Sequence, residues 1–180
     1  MSNVINGQIQ VSLALTQVFT SGTASSGATD KVNLGQIPIN ITAGTGVGQI
    51  NELWSQTLTL SATPTNLDLT SLTGIGGRAV SFSAVKFLYI GINTTAAGND
   101  VGVGNAASNP WSAPWSASTT VTTIKSAALT GPNNGSATPE PMFISNLSAA
   151  GWTVDSTHKI LKLDPGSNNV SITIAIGGLA

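Results

Sequence analysis

Val170-Ser171-Ile172-Thr173-Ile174-Ala175-Ile176 sets an aliphatic residue at every second position with small or polar residues between. Successive side chains of a strand point to opposite faces, so the run reads as a strand with one face on a core. Near the other end, Ile9, Val11, Leu13 and Leu15 repeat the pattern, alternating with Gln8, Gln10, Ser12 and Ala14. Between these two runs, further strands are expected over Lys31 to Ile41, Leu53 to Ser61, Asn66 to Leu69, Ala79 to Asn93, Thr119 to Leu129 and His158 to Leu163. Within Ala79 to Asn93 both alternating sets are apolar, Val85, Phe87 and Tyr89 on one and Ala84, Leu88, Ile90 and Ile92 on the other. That marks a central strand buried on both faces. The connections carry turn chemistry, as in Gly74-Ile75-Gly76-Gly77, Gly98-Asn99-Asp100 and Asp164-Pro165-Gly166. No helix of ordinary length is visible, and the nearest candidate is a short turn in Phe143 to Ala150 that ends at Gly151. About eight or more short, evenly spaced strands predict an all-β fold, a β-sandwich of jelly-roll type.

One such domain accommodates all 180 residues. Within it, residues 1–29 form a candidate strand-exchanging segment, because an amino-terminal strand is set apart by the stretch Ser21 to Thr29. Charge is scarce: seven acidic and six basic residues make up 7% of the chain. An ordinary soluble domain has roughly a quarter. A surface built from Ser, Thr, Asn, Gln and Gly therefore points to a protein largely covered by neighbours, an assembly component. The net charge of −1, with no Lys/Arg cluster, removes the electrostatic attraction behind most nucleic-acid affinity. A membrane partner is likewise not expected, since no apolar run approaches the roughly 18 residues of a span. Met1 to Gly7 lacks a basic and apolar leader pattern, and the chain has no cysteine, both of which fit synthesis in a cytosol.

Residues able to do chemistry are few. Gly44-Thr45-Gly46-Val47-Gly48 has the look of a phosphate loop, but a strand-like Leu53 to Leu58 follows it where a helix is required, so it reads as a turn. His158 is the single histidine, with no second histidine or cysteine to complete a zinc site and no Gly-x-Ser-x-Gly elbow to supply a nucleophile. Of the seven acids, all but Glu52 and Asp68 fall in turns or loop edges and read as turn formers. Asn99-Asp100 and Asp164 lie in polar loops that would suit calcium better than catalysis, but without an acid-rich loop no metal is assigned. No cofactor and no enzymatic activity are expected. Asn109-Pro110-Trp111-Ser112-Ala113-Pro114-Trp115 is too irregular for a strand and too apolar to be left in water. Three covers remain open: the loop folds back over the sandwich, it anchors a subunit interface, or its indoles stack on sugar rings. Pro110, Trp111, Pro114 and Trp115 are the candidate interface residues, with Gly131 to Pro141 as a second loop.

Gly44 to Trp54, Leu67-Asp68-Leu69, Val80 to Leu88 and Val101 to Asn109, closed by Lys159 to Leu163 and Val170 to Gly178, resemble the small β-rich virion proteins of tailed bacteriophages over about residues 42–178. The resemblance implies a non-enzymatic particle component, present in many copies, with no catalytic residues to carry over. Joined to the low charge, it leads to the expectation of a capsid decoration or cement protein of a phage virion, made in the host cytoplasm. Its expected partners are itself, as a homo-oligomer and most simply a trimer, and other virion proteins such as the major capsid protein. The alternative is a receptor- or carbohydrate-binding module of a phage tail or cell surface, with Trp111 and Trp115 as stacking faces.

Overall fold

The computed structural model describes residues 5–19, 28–93, 98–115, 117–125 and 141–180. The second loop expected at Gly131 to Pro141 lies outside them, apart from Pro141 itself. The chain divides into two compact units, Met1–Ala43 and Gly44–Ala180.

In the first unit, β1 (Asn6–Phe19) and β2 (Ala28–Ala43) form an antiparallel hairpin. Its register sets Ile9 opposite Ile39 and Val11 opposite Ile37, then shifts between Ser12 and Ala14 so that Leu15 meets Val32. Gln8 donates from Nε2 to Asn40 Oδ1 across the strands at 3.0 Å.

The second unit contains β3 (Gln49–Ile50), β4 (Glu52–Leu60), β5 (Thr65–Asp68), β6 (Leu72–Thr73), β7 (Ala79–Val80), β8 (Ala84–Ile92), β9 (Val101–Gly104), β10 (Val121–Ile124), β11 (Met142–Ser145), β12 (Trp152–Thr153), β13 (Ile160–Asp164) and β14 (Val170–Leu179). Ile75–Gly77 makes a short 3-10 turn between β6 and β7. One sheet has the order β11-β8-β14-β4, with β12 also pairing β8, and the other has β10-β9-β13-β5. Each pairing in them is antiparallel. Side chains of both meet in one buried cluster, where Leu88, Ile90, Ile172 and Ile174 of the first sheet join Val101, Val103, Leu161 and Leu163 of the second. The fold is all-β, two facing antiparallel sheets around a shared core, as the alternation predicts.

β14 buries Val170, Ile172, Ile174 and Ile176 and leaves Ser171, Thr173 and Ala175 half-buried on its other face. β8 is buried at every position but Tyr89 and lies inside its sheet, which accounts for its two apolar sets. On its second face the Phe87 ring lies over Gly177, where a Cβ would strike it, and against Phe143 at 6.3 Å. A side chain at the next residue, Gly178, would meet the Ala84 carbonyl at the register shift of β14 against β8. The pair of glycines is thus a requirement of close approach.

Two elements differ from expectation. Met142–Ser145 is a strand, not a turn of helix: Phe143 stands opposite Tyr89 and Ile144 opposite Leu88, so the need of β8 for a neighbour overrides local preference. Val101–Gly104 is a strand that the sequence hid, because Gly102 and Gly104 occupy the positions where strand-forming side chains would mark one.

Ile174→Ala is expected to cost about 2–5 kcal/mol, because it opens a cavity where the sheets meet, whereas Thr57→Ala on the exposed face of β4 should stay within about 0.5 kcal/mol. Urea unfolding of the two variants checks the assignment of faces.

Candidate functional site

The proline–tryptophan loop folds back onto the core of its own chain. Asn109 takes a left-handed conformation, φ 48°, and its carbonyl accepts from the amides of Lys159 and Ile160 at 3.0 and 2.9 Å. Trp111 then donates its amide to the Ile160 carbonyl at 2.9 Å and its indole Nε1 to the Thr153 carbonyl at 3.1 Å. Its side chain is in the core, 2% exposed. Trp115 and Trp152 stand edge-on to it, with centroids 5.7 and 6.2 Å away. Trp115, half-buried, donates to Thr122 Oγ1 at 2.8 Å. Edge-to-face packing with satisfied indole N–H groups is the favourable way to bury such rings. Pro110, Ser112, Pro114 and Trp115 are half-buried and Ala113 is exposed, so the loop presents outward mainly Ala113 and the flanking prolines.

Among the described residues, charges are committed within the chain. Arg78 makes a two-pronged contact with Glu52, Nη2 to Oε1 at 2.7 Å and Nη1 to Oε2 at 2.9 Å, and also donates to the Leu53 carbonyl. Trp54 Nε1 and Gln56 Nε2 both donate to the Thr73 carbonyl at 2.9 Å, so side chains and the β6–β7 hairpin guard the outer strand β4. Asp68 pairs with Lys159 and Asp100 with Lys125, each at 2.7 Å, and Asp164 pairs with Lys162 at 3.1 Å. The amide of Gly166, and then Lys162, hold the Asp164 carboxyl below its ordinary range. Lys86 is different: fully buried in β8, it donates from Nζ to the carbonyls of Gly46 at 2.7 Å and Thr45 at 3.3 Å. Burial pulls its ammonium below the usual lysine value. The glycine-rich turn is clamped in this way, and its own amides are engaged, Gly44 with Ile50, Gly46 with Gln49 and Gly48 with Leu147. Those amides are turned to internal partners and away from the convergent arrangement that cradles an anion.

His158 sits in a turn with Asp155 and Thr157. Both the Asp155 carboxylate, at 3.1 Å, and the Thr157 hydroxyl, at 3.0 Å, approach its Nδ1. A proton relay needs the carboxylate and the hydroxyl on opposite ring nitrogens, so this is a turn-forming network. Hydrogen bonds from the Thr157 hydroxyl and amide, ahead of those from His158, bring the Asp155 carboxyl down to about 2.

Asp100 and Asp164, read separately in the sequence, meet at an open cleft of about 370 Å³ floored by Gly102, with Thr123, Ser167 and Asn168 around it. Each acid keeps its lysine, and no group of three or more His, Cys, Asp or Glu converges among the described residues. A smaller cleft of about 250 Å³ runs beside Leu53, Trp54 and Arg78 to Ile75, which is 87% exposed. The sequence treated Gly74 to Gly77 only as a turn, and the signal it passed over was an isoleucine between glycines, with nothing local to cover it.

Trp111→Ala is expected to cost about 3–5 kcal/mol and to remove most of the near-ultraviolet dichroism, with a smaller loss for Trp115→Ala. The stabilisation tied to Asp155 is complete above its ordinary value of 3.8 and lost as pH falls toward about 2. Asp155→Asn should therefore show a shallower decline of the urea midpoint below pH 4 than the parent chain, which a pH series measures.

No family model, curated protein or solved structure matches this chain.

Proposed function

We propose that this chain is a non-enzymatic structural protein of a phage virion, a capsid decoration or cement protein that acts as a homo-oligomer, most simply a trimer, on the major capsid protein. The observation that carries the reading is the commitment of charge. Glu52, Asp68, Asp100 and Asp164 are each held in an ion pair within the chain and Asp155 is bonded into its own turn, in a protein with only seven acids and six bases. Among the described residues the surface is left mainly to hydroxyls, amides, backbone and a few exposed aliphatic side chains such as Val47 and Ile75, which suit broad contact with neighbouring proteins better than steering of a charged ligand. A cement protein works by burying area across joints between subunits, and repetition by symmetry turns modest contacts into strong attachment.

The strand order supports the same reading. Along the 44–180 unit the eight main strands pair in a nested way: β4 with β14, β5 with β13, β8 with β11, and β9 with β10. First meets last and the middle two meet each other, as in a hairpin folded over on itself, and we read this as a jelly roll. That architecture recurs in viral capsid and lectin domains, although fold alone does not assign function.

The lectin association keeps the second reading, a carbohydrate- or receptor-binding module of a tail or cell surface. Trp111 lends it no stacking face, since the indole is buried, so the cleft over Gly102 would have to serve.

Particles assembled without this chain are expected to rupture at lower temperature, with resistance restored when the purified protein is added back. Unchanged rupture, together with specific retention on a glycan array lost in Asp164→Ala, would replace cement by sugar binding.

A further inference from the structure

We infer that the outer edge of β4, over Ser55 to Thr59, takes an extended and uncharged strand of a partner protein, with an aliphatic side chain of that strand seated in the cleft between Leu53 and Ile75. The inference goes beyond the proposed function by naming an interaction surface, and its test uses the purified chain without particles.

β4 ends its sheet, bonded to β14 and to no strand on its other side among the described residues. In a strand the N–H and C=O of one residue point to the same side, and those of the next residue to the opposite side. The direction at Leu53 is fixed by its partners: its amide donates to Glu52 Oε1 at 3.0 Å and its carbonyl accepts from Arg78 Nη2 at 3.0 Å, neither of them in β14. β14 agrees, because the Ser171 carbonyl accepts from the Asn93 amide just past β8, which leaves Ile172, Ile174 and Ile176 to bond toward Leu58, Gln56 and Trp54. Ser55, Thr57 and Thr59 therefore aim their backbone groups outward, where no hydrogen-bond partner stands among the described residues, and their side chains are exposed.

An open edge invites pairing, and proteins blunt it with charge, proline, a bulge or a cover. Here Glu52 and Arg78 occupy the backbone of Leu53, but Ser55-Gln56-Thr57-Leu58-Thr59 has neither charge nor proline and pairs with β14 without a register shift.

The chemistry of the guest follows from the cleft. Of about 250 Å³, it lies between Leu53, Trp54 and Ser55 of this edge and the turn of Gly74, Ile75 and Arg78. Gly76 and Gly77, at φ 70° and 78°, shape the turn that holds Ile75 out, and exposed Leu53 is the other aliphatic wall. Small-molecule sites occupy roughly 300–1,000 Å³, so this one suits a single side chain. Glu52 and Arg78 neutralise each other beside it, and nothing there favours a charged guest. Main-chain bonds for affinity with a pocket for specificity is the mode of strand addition. A second copy's β4 does not meet these terms. Its free positions carry hydroxyls, Leu60 lies in its own core with Leu58 packed against that core, and the backbone of Leu53 is already bonded, so it would extend the ladder and leave the cleft unfilled.

Labelled, capped seven-residue peptides that alternate threonine with valine, isoleucine or leucine are the probes, read by fluorescence anisotropy on the full-length protein. One of them or more is expected to bind saturably, and a peptide of threonine alone to bind about tenfold more weakly, equal to about 1.4 kcal/mol. Ile75→Ser, at an exposed turn, should weaken binding about fivefold with no change in thermal midpoint, while Val47→Ser, at an exposed aliphatic residue outside the cleft, should change neither. Thr57→Pro removes an outward N–H that the sheet does not use and should abolish binding. If the proline variant fails to fold, Ile75→Ser decides alone. No saturable binding by any of the three peptides, equal binding by a peptide N-methylated along its length, or an equal effect of Ile75→Ser and Val47→Ser overturns the inference. So does a dimer of the chain without peptide that Thr57→Pro dissolves, because the occupant is then a second copy.

Discussion

The 44–180 unit depends on the double pairing of β14. The strand is bonded to β4 over Val170 to Gly178 on one edge and to β8 over Ile172 to Leu179 on the other, while its aliphatic residues enter the core between the sheets. Both edges and one face are thus fixed at once. Close approach at Gly177 and Gly178 brings the Phe87 ring and the Ala84 carbonyl onto the strand, leaving no room for a change of register there. A one-residue slip would turn Ile172, Ile174 and Ile176 outward, so the hydrophobic effect and the hydrogen-bond ladder specify the same arrangement.

Scarcity of charge has a structural counterpart. Among the described acids, Glu52, Asp68, Asp100 and Asp164 are each spent on an ion pair and Asp155 on the bonds of its turn, while buried Lys86 is spent on two loop carbonyls. Exposed pairs of this kind add little stability, about 0–1 kcal/mol each. Their effect among the described residues is to leave few free charges for long-range attraction or repulsion.

The sequence disclosed what is local. Period-two alternation identified β14, β4 and the doubly buried β8, because each keeps its side-chain pattern over seven or more residues. It missed β9, where glycines stand in the pattern, and misread Phe143 as helical, because the reason for that strand is the open edge of β8 rather than anything adjacent in the chain. Pairing order was out of reach: β4 and β14 join Leu60 to Val170, and no local signal records that partnership. At the candidate site the same division holds. Composition identified Trp111 and Trp115 as residues needing cover, yet that the cover is Trp152 and the backbone of Thr153 follows only from the folded chain. The cleft shared by Asp100 and Asp164 likewise brings together loops far apart in sequence.

The most direct test of the central claim is cryo-electron microscopy of the native particle made by the encoding genome, searched for density that fits the two sheets of residues 44–180. Symmetry-related copies on the head lattice are the predicted result. Density confined to the tail tip or fibres would contradict the decoration reading and transfer the protein to receptor binding.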